Sequence, residues 1–161
     1  MNNLQIELLA DCPKHIEQLA QWRQNEWSSY NLKLTREYTL MSMRMHCNYD
    51  KLPIAFVCKT RKKPIGMVCL RQCDLETHSY LTPWLGSLYV EPKFRGHDVG
   101  KKLIIRAETH ALLLNYKAIY LFMFNLGLKE WYAKQGYDLK EETIYNNTHP
   151  IIIMKKNIYR E

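Results

Sequence analysis

Hydrophobic positions recur at two spacings along the chain, every second residue in some stretches and every third or fourth in others. Residues 4–9 alternate apolar and polar positions, which predicts a first strand. Asp11 and Pro13 then favour the start of a helix, as its capping residue and a first-turn residue. Thr35 favours the start of a second helix over residues 36–47.

Short apolar runs alternate with turns in the middle of the chain. Residues 54–58 and 64–70 predict the two strands of a hairpin, joined by a basic turn at 59–63 that we expect to be an exposed tip. Residues 81–90 predict the next strand, bracketed by Pro83 and Pro92.

The second half begins with an amphipathic helix over residues 99–115. Its apolar face consists of Leu103, Ile104, Ala107, Ala111 and Leu114. Residues 118–124 are continuously apolar, which predicts a strand covered on both faces. A short helix at 126–134 should end at Gly136, and residues 137–145 and 150–157 predict a closing antiparallel pair.

These elements predict an α/β (α+β) fold in the order β-α-α-β-β-β-α-β-α-β-β. The strand at 85–90, the helix at 99–115 and the strand at 118–124 form one βαβ unit, so these two strands should be parallel. The other pairs should be antiparallel, which gives a mixed, mostly antiparallel sheet. No linker or repeat divides residues 1–161, which we expect to form a single domain.

Composition and charge narrow the functional classes. The chain is 47% hydrophobic and 24% charged, which is ordinary for a globular protein. It has no apolar run of the roughly 18 residues that cross a membrane, and its first residues lack a signal-peptide pattern. We therefore expect a cytoplasmic location and no membrane partner. The net charge of +7 indicates an anionic partner.

The cysteines indicate neither disulfides nor a metal centre. They are five in number and form no Cys-x-x-Cys pair, so we expect reduced thiols. Cys69, Cys73 and His78 have a weakly metal-like spacing, but the sequence supplies no fourth ligand nearby and we expect no metal.

A basic, glycine-containing turn separates the strand at 85–90 from the helix at 99–115. Backbone N–H groups at the start of a helix point at an anion bound there, so this order predicts a phosphate site. Lys93, Arg95, Lys101 and Lys102 flank the turn and favour the same ligand. The sequence therefore predicts a site for a nucleotide or a coenzyme phosphate.

The residues of this turn fit a known motif. Residues 95–100, Arg-Gly-His-Asp-Val-Gly, resemble the motif Arg/Gln-x-x-Gly-x-Gly/Ala of the GCN5-related N-acetyltransferases, with Asp98 at the usual middle glycine. Asn125, Tyr132, Gly136 and Tyr137 match the downstream pattern of that family. The order of elements is similar to the family fold over essentially the whole chain.

The resemblance implies transfer of an acetyl group from acetyl-CoA to a primary amine, of a small molecule or a peptide, by direct attack in a ternary complex. It implies that the Leu88 N–H stabilises the oxyanion, that Val90 binds the pantetheine arm and that Tyr132 is the general acid. The coenzyme contacts it implies are Leu88, Tyr89, Val90, Arg95, Gly96, His97, Asp98, Val99, Gly100, Lys101, Asn125 and Tyr132.

The motif does not assign the general base. Deprotonating an alkylammonium with a pKa of about 10 requires a carboxylate or a histidine, acting through water. Glu76 or Asp74, ahead of the central strand, is our candidate, with His78 and Glu26 as alternatives. The aromatic residues that could form a wall around the amine are Trp22, Trp27, Tyr30 and Trp84.

Two other functional classes are open at this stage. A catalytically silent acyl-CoA-binding or sensing module would use the same coenzyme site but would release no thiol with amines. A basic nucleic-acid-binding domain would bind with a steep salt dependence, but the chain has no recognition motif for nucleic acid and we do not expect this partner. We expect a monomer or a homodimer.

Overall fold

Seven strands of the described residues form one mixed sheet. The computed structural model describes residues 3–61 and 63–159, and Lys62, in the predicted hairpin turn, lies outside them. The strands lie side by side in the order β1-β2-β3-β4-β5-β7-β6. They are β1 (Leu4–Leu8), β2 (Ile54–Thr60), β3 (Lys63–Arg71), β4 (Trp84–Val90), β5 (Ala118–Met123), β6 (Asp138–Tyr145) and β7 (His149–Asn157).

Four α-helices in the described part of the chain accompany the sheet. They are α1 (Ile16–Trp27), α2 (Arg36–Met45), α3 (Val99–Leu113) and α4 (Lys129–Lys134). None of these helices is long and apolar enough to cross a membrane. Among the strands of the described residues, only β4 and β5 pair in parallel, and α3 connects them, so the predicted βαβ unit is present. The prediction of fold class and element order is confirmed.

Hydrophobic side chains bury both faces of the centre of the sheet. On one face, Leu103 of α3 packs in a cluster with Phe56 of β2. On the other face, Leu19 of α1 and Met43 of α2 pack in a cluster with Val57 of β2. Successive residues of a strand point to opposite faces, so β2 is buried over its first five residues.

The approach to α1 differs from the prediction, because Asp11 caps no helix. The chain forms two short 3-10 turns, Leu9–Asp11 and Pro13–His15, before α1 begins. Between them Cys12 takes a φ of −139° and a ψ of 57°, which interrupts a helical path. The Asp11 carboxylate instead accepts a hydrogen bond of 2.8 Å from the Tyr49 hydroxyl.

Two other helix boundaries are confirmed. Thr35 caps α2, because its Oγ1 accepts a hydrogen bond of 3.2 Å from the Tyr38 N–H. Gly136 follows α4 with a φ of 95°, the left-handed geometry that favours glycine. The predicted helix at 126–134 divides into a 3-10 turn, Leu126–Leu128, and α4.

Strand β5 is fully buried on one face only, contrary to the prediction. Its buried residues alternate with partly exposed ones, so Tyr120 and Phe122 keep part of their surface accessible. Trp84 covers this second face in part, with its ring centroid 6.0 Å from Tyr120 and 6.2 Å from Phe122. Farther along, β4 diverges from β5, so the aromatic side chains border an opening instead of a second packed layer.

Candidate active site

Strands β4 and β5 are held together at one end only. Trp84 and Tyr120 are in register, and the Tyr120 N–H donates to the Pro83 carbonyl at 3.0 Å. Beyond this point the described residues of β4 and β5 form no further registered pair. The two parallel strands therefore diverge and leave a gap along the edge of β4. Backbone groups at such an edge need other partners, which a bound ligand can supply.

Strand β4 carries a bulge beside this gap. Two residues, Ser87 and Leu88, stand opposite Val68 of β3, and Ser87 takes a φ of 51°. Beyond the bulge, the Glu91 N–H donates to β3 at 2.9 Å. Because backbone groups alternate in direction along a strand, the N–H groups of Leu88 and Val90 face the gap.

The turn after β4 presents free N–H groups at the start of α3. The first helical hydrogen bond runs from the Lys102 N–H to the Asp98 carbonyl at 3.0 Å. Within the described residues, the N–H groups of residues 98–101 have no acceptor. Gly96 and Asp98 take φ values of 78° and 62°, so the turn needs left-handed backbone at both positions. Aspartate tolerates this geometry better than most residues, which explains how it can replace a glycine here.

A cavity of about 420 Å³ lies beside this turn. We call it the coenzyme cavity, because eleven of the twelve residues predicted to contact a coenzyme line it. The twelfth, His97, is exposed and lies outside the lining. The walls are completed by Glu26, Phe94, Leu128, Trp131 and Gln135.

Arg95 folds back onto the end of β4. Its Nε donates to the Val90 carbonyl at 2.8 Å, and its guanidinium carbon lies 5.6 Å from the centroid of the Tyr89 ring. The side chain thus fastens the turn to the strand and brings a positive charge to the mouth of the coenzyme cavity.

A second cavity, of about 480 Å³, opens on the other side of the bulge, and we call it the acceptor cavity. Its aromatic lining residues are Trp27, Tyr30, Phe122, Phe124, Tyr132 and Tyr145. The rings of Tyr30 and Phe124 stack with their centroids 4.1 Å apart. The residues that line both cavities are Glu26, Leu88, Asn125, Leu128 and Tyr132. Molecules in the two cavities would therefore meet beside Leu88.

Tyr132 stands at this junction with a free hydroxyl. Its side chain is 7% exposed, and burial raises the pKa of Tyr132 above its ordinary value, so the phenol is protonated at neutral pH. Within the described residues, its hydroxyl makes no hydrogen bond, whereas the hydroxyl of the nearby Tyr137 donates to Glu108 at 3.0 Å. Asn125 shapes the turn after β5, because its Oδ1 accepts from the Gly127 N–H at 3.1 Å.

Arg71 is the centre of a buried polar network on the acceptor side. Its Nε donates to His46 Nε2 at 3.0 Å, and its terminal nitrogens donate to Asp74 Oδ1 at 2.9 Å and Ser87 Oγ at 2.8 Å. Burial opposes the charge of the guanidinium, but the Asp74 carboxylate beside it keeps the pKa of Arg71 above its ordinary value. Every nitrogen of this guanidinium therefore has a partner.

His46 is a neutral member of this network. Because Arg71 donates to its Nε2, the proton lies on Nδ1, which donates to the Ser42 carbonyl at 2.6 Å. Burial, together with the positive charge of Arg71, lowers the pKa of His46 to about 3. His46 therefore accepts from Arg71 throughout the physiological pH range.

The two carboxylates proposed as the general base lie in different surroundings. Asp74 lines the acceptor cavity, and its Oδ2 lies over β4, so a Cβ added to Gly86 would approach it to 2.6 Å. Only Oδ1 of Asp74 has a donor within the described residues. Glu76 is exposed on a 3-10 turn and lines neither cavity.

The alternative candidates also differ in position. His78 is buried, forms a hydrogen bond with the Glu141 carboxylate and stacks on Tyr80, and it lines neither cavity. Glu26 lines both cavities, and its side chain is exposed.

The aromatic wall differs in part from the prediction. Trp27 and Tyr30 line the acceptor cavity, whereas Trp22 and Trp84 are buried in the core, because they lie on covered parts of the sheet. The other notable lining residues, which the sequence did not indicate, are Arg23, Arg71, Phe122, Phe124 and Tyr145. The sequence signal that could have indicated Phe122 and Phe124 is the alternation of aromatic and aliphatic residues over 120–124.

No metal centre is formed by the part of the chain that the structure describes. No group of three or more His, Cys, Asp or Glu side chains is close enough together there to hold an ion. The five cysteines are unpaired. The candidate active site is built from backbone N–H groups, carboxylates, guanidinium groups and aromatic rings.

Sequence comparison identifies the family to which this arrangement belongs. Residues 16–137 match the family model described as Acetyltransferase (GNAT) family. The chain belongs to the GNAT acetyltransferase family. As a GNAT protein it is an acetyl-CoA-dependent N-acetyltransferase, and the matched residues include the bulge, the turn and Tyr132. A comparison with curated proteins gives no significant match.

Solved structures share the fold of this GNAT protein over nearly its whole length. An aminoglycoside 6'-N-acetyltransferase complexed with coenzyme A is 18% identical, with a TM-score of 0.76 over 98% of each chain. The aminoglycoside 6'-N-acetyltransferase from Enterococcus faecium is 17% identical, with a TM-score of 0.74 over 98% of each chain. Ard1 from Thermoplasma volcanium is 14% identical, with a TM-score of 0.70 over 98% of this chain and 99% of that one. At these identities the likeness shows the fold alone.

Proposed function

We propose that this acetyltransferase moves the acetyl group directly from acetyl-CoA to a primary amine while both are bound. The observation that carries the proposal is the junction of the coenzyme and acceptor cavities at Leu88 and Tyr132. A thioester at this junction is within reach of an amine from one side and of a proton donor from the other. Holding both reactants together removes most of the entropic cost of their encounter.

The turn at 95–101 holds the pyrophosphate of the coenzyme. The free N–H groups of residues 98–101 and the start of α3 supply a preorganised anion site. Arg95 and Lys101 add positive charge to the same lining. The Val90 N–H, which faces the gap, donates to an amide carbonyl of the pantetheine arm, as the missing strand neighbour would.

The Leu88 N–H stabilises the oxyanion that forms when the amine attacks. A preorganised donor of this kind lowers a barrier by about 3 kcal/mol. The bulge holds Leu88 in place, because Ser87 is tied to the buried Arg71. No rearrangement of the backbone is needed as the negative charge develops.

Two side chains handle the protons. Asp74, through a water molecule, takes the proton of the ammonium, and the amine nitrogen then bonds to the acetyl carbon. As the carbon–sulfur bond breaks, Tyr132 gives its phenolic proton to the departing thiolate. The phenolate regains a proton from the new amide nitrogen, which is still cationic after the attack, so the amide leaves neutral. Glu26, at the junction, is the competing carboxylate for the first step.

The acceptor occupies the acceptor cavity beside the stacked rings of Tyr30 and Phe124. The aminoglycosides in the names of similar structures belong to those proteins, and we propose only a primary amine here. We also propose a cytoplasmic location, which the five unpaired cysteines support.

Two assays on the purified chain test this function. Acetyl-CoA should raise the melting temperature, and a panel of primary amines should release free thiol from acetyl-CoA. If acetyl-CoA binds but none of the amines in the panel causes release of thiol, the chain would be a silent binding module. If millimolar acetyl-CoA leaves the melting temperature unchanged, the result would contradict the coenzyme site itself.

A further inference from the structure

Arg23 of α1 brings a guanidinium without an acidic partner to the acceptor cavity. The side chain lines that cavity, and one terminal nitrogen donates to Ser42 Oγ at 2.7 Å. Its guanidinium carbon lies 6.0 Å from the centroid of the Tyr38 ring. Across residues 3–61 and 63–159, no carboxylate oxygen lies within 4.0 Å of Arg23. Most of its N–H groups therefore have no protein acceptor.

The second guanidinium in the same lining, that of Arg71, is in the opposite situation. It is paired with Asp74 and also bonded to His46 and Ser87, so each of its three nitrogens already has a protein partner. Arg71 serves the protein framework, whereas Arg23 remains available to a molecule in the cavity.

The charge on Arg23 is costly to keep where it lies. Burial, together with the positive charge of Arg71, lowers the pKa of Arg23 to about 10, although it stays protonated at neutral pH. A partly buried charge without a counter-ion is unfavourable, and an anion bound beside it removes that penalty. Guanidinium groups pair with carboxylates through two parallel hydrogen bonds, which is the strongest of the common arrangements.

We propose, resting on the proposed function, that the acceptor is an amine that also carries a carboxylate, and that Arg23 binds this carboxylate. The other end of such a molecule finds the acidic groups of the cavity. Oδ2 of Asp74 has no donor within the described residues, and Glu26 lies at the junction where the acetyl group arrives. The carboxylate of an amino acid-like acceptor thus meets Arg23, and its ammonium group meets Asp74 or Glu26.

A polycationic acceptor fits this lining poorly. Two guanidinium groups, Arg23 and Arg71, stand against two carboxylates, and one of those carboxylates is already paired. A molecule with several ammonium groups would therefore have too few free acidic partners and would meet Arg23 directly.

The test compares amines that differ only in the carboxylate. Tyrosine is paired with tyramine and lysine with cadaverine, the amides of both amino acids are included, and an aminoglycoside serves as the polycation. The amino acid of each pair should have a kcat/KM about 10- to 100-fold higher, mainly through a lower KM. Equal or higher kcat/KM for tyramine, cadaverine, the amides or the aminoglycoside would overturn the inference.

Variants of the chain locate the effect. Arg23→Gln should abolish the preference for the carboxylate, Arg23→Lys should restore part of it, and the exposed Arg36→Gln should leave it unchanged. A preference that survives in Arg23→Gln contradicts the role of Arg23. If Arg23→Gln does not fold, the substrate pairs on the wild-type chain still decide the matter.

The failure of this inference differs from the failure of the proposed function. If acetyl-CoA raises the melting temperature and the amines without a carboxylate are acetylated best, only the acceptor inference is wrong. If acetyl-CoA has no effect on the melting temperature, the proposed function is wrong, and the acceptor inference fails with it.

Discussion

The Arg71 guanidinium donates a hydrogen bond of 2.8 Å to Oγ of Ser87, the residue of β4 whose backbone takes a φ of 51°. A non-glycine residue with this backbone geometry is uncommon and needs support from its surroundings. Arg71 supplies that support while it also bonds to His46 and Asp74. The position of the neighbouring Leu88 N–H therefore depends on a side chain that is buried behind the site.

Arg71→Lys should lower kcat more than it affects acetyl-CoA binding. Lysine keeps the charge, but its single nitrogen cannot reach three partners with the geometry of a guanidinium. We expect kcat to fall about 10-fold or more and the free energy of unfolding to fall by about 2 to 4 kcal/mol. Steady-state kinetics and denaturant unfolding measure both.

The exposed Arg44→Lys on α2 is the matched control for this change. It should alter the free energy of unfolding by no more than about 0.5 kcal/mol and leave kcat unchanged. If Arg71→Lys also left kcat and the free energy of unfolding unchanged, the polar network around Arg71 would not be holding the bulge.

Tyr132→Phe should lower kcat about 100-fold, because it removes the proton donor for the thiolate. Its hydroxyl has no partner within the described residues, so stability and acetyl-CoA affinity should change little. Tyr137→Phe is the control. The Tyr137 hydroxyl lies away from the junction and donates a hydrogen bond of 3.0 Å to Glu108. The control should lose about 1 to 2 kcal/mol of stability and keep its kcat. The opposite pattern would remove Tyr132 from the proposed mechanism.

Asp74→Asn should slow the reaction in a pH-dependent manner. If Asp74 is the general base, kcat/KM for the amine falls about 100-fold near neutral pH. The deficit should shrink as the pH approaches the amine pKa of about 10, because the free amine no longer needs a base. Glu76→Gln, outside both cavities, is the control and should behave as the wild type. A deficit in Asp74→Asn that is constant with pH would indicate a purely structural role.

The order of the elements and the turn at the start of α3 were predictable because they rest on local signals. The capping residue Thr35 and the βαβ pattern around residues 95–100 are readable from neighbouring residues alone. The polar network around Arg71 was not predictable, because Arg71 bonds to His46, 25 residues earlier, and to Ser87, 16 residues later. Such contacts exist only once β3, β4 and α2 have assembled.

The acceptor side was harder still to predict. Asp74 and Glu76 are two residues apart, and only the course of the chain after β3 brings one of them into the cavity. The role of Phe122 was misjudged because an apolar run is equally compatible with a covered face and with a cavity wall. The divergence of β4 from β5 decides between them, and the apolar run itself carries no sign of it.

Acid should weaken the fold through His46. The pKa of His46 is about 3 in the folded chain against an ordinary value of 6.5, so between these values the unfolded chain binds the extra proton. The contribution of His46 to the free energy of unfolding is therefore fully present above pH 6.5, and it decreases as the pH falls toward about 3. The slope from one such group is at most about 1.4 kcal/mol per pH unit.

Denaturant unfolding between pH 7 and pH 4 measures this slope. His46→Gln should reduce it, and the exposed His97→Gln should not. Identical slopes in the wild type and His46→Gln would show that His46 is not the buried neutral group described here.

The initial rate of amine-dependent thiol release, measured while acetyl-CoA and the amine are both varied, tests the central claim most directly. Direct transfer at the junction beside Leu88 predicts reciprocal plots that intersect, because both substrates must be bound before the acetyl group moves. Parallel plots would indicate an acetylated enzyme intermediate. Parallel plots, or the absence of any amine-dependent release, would contradict transfer in a ternary complex.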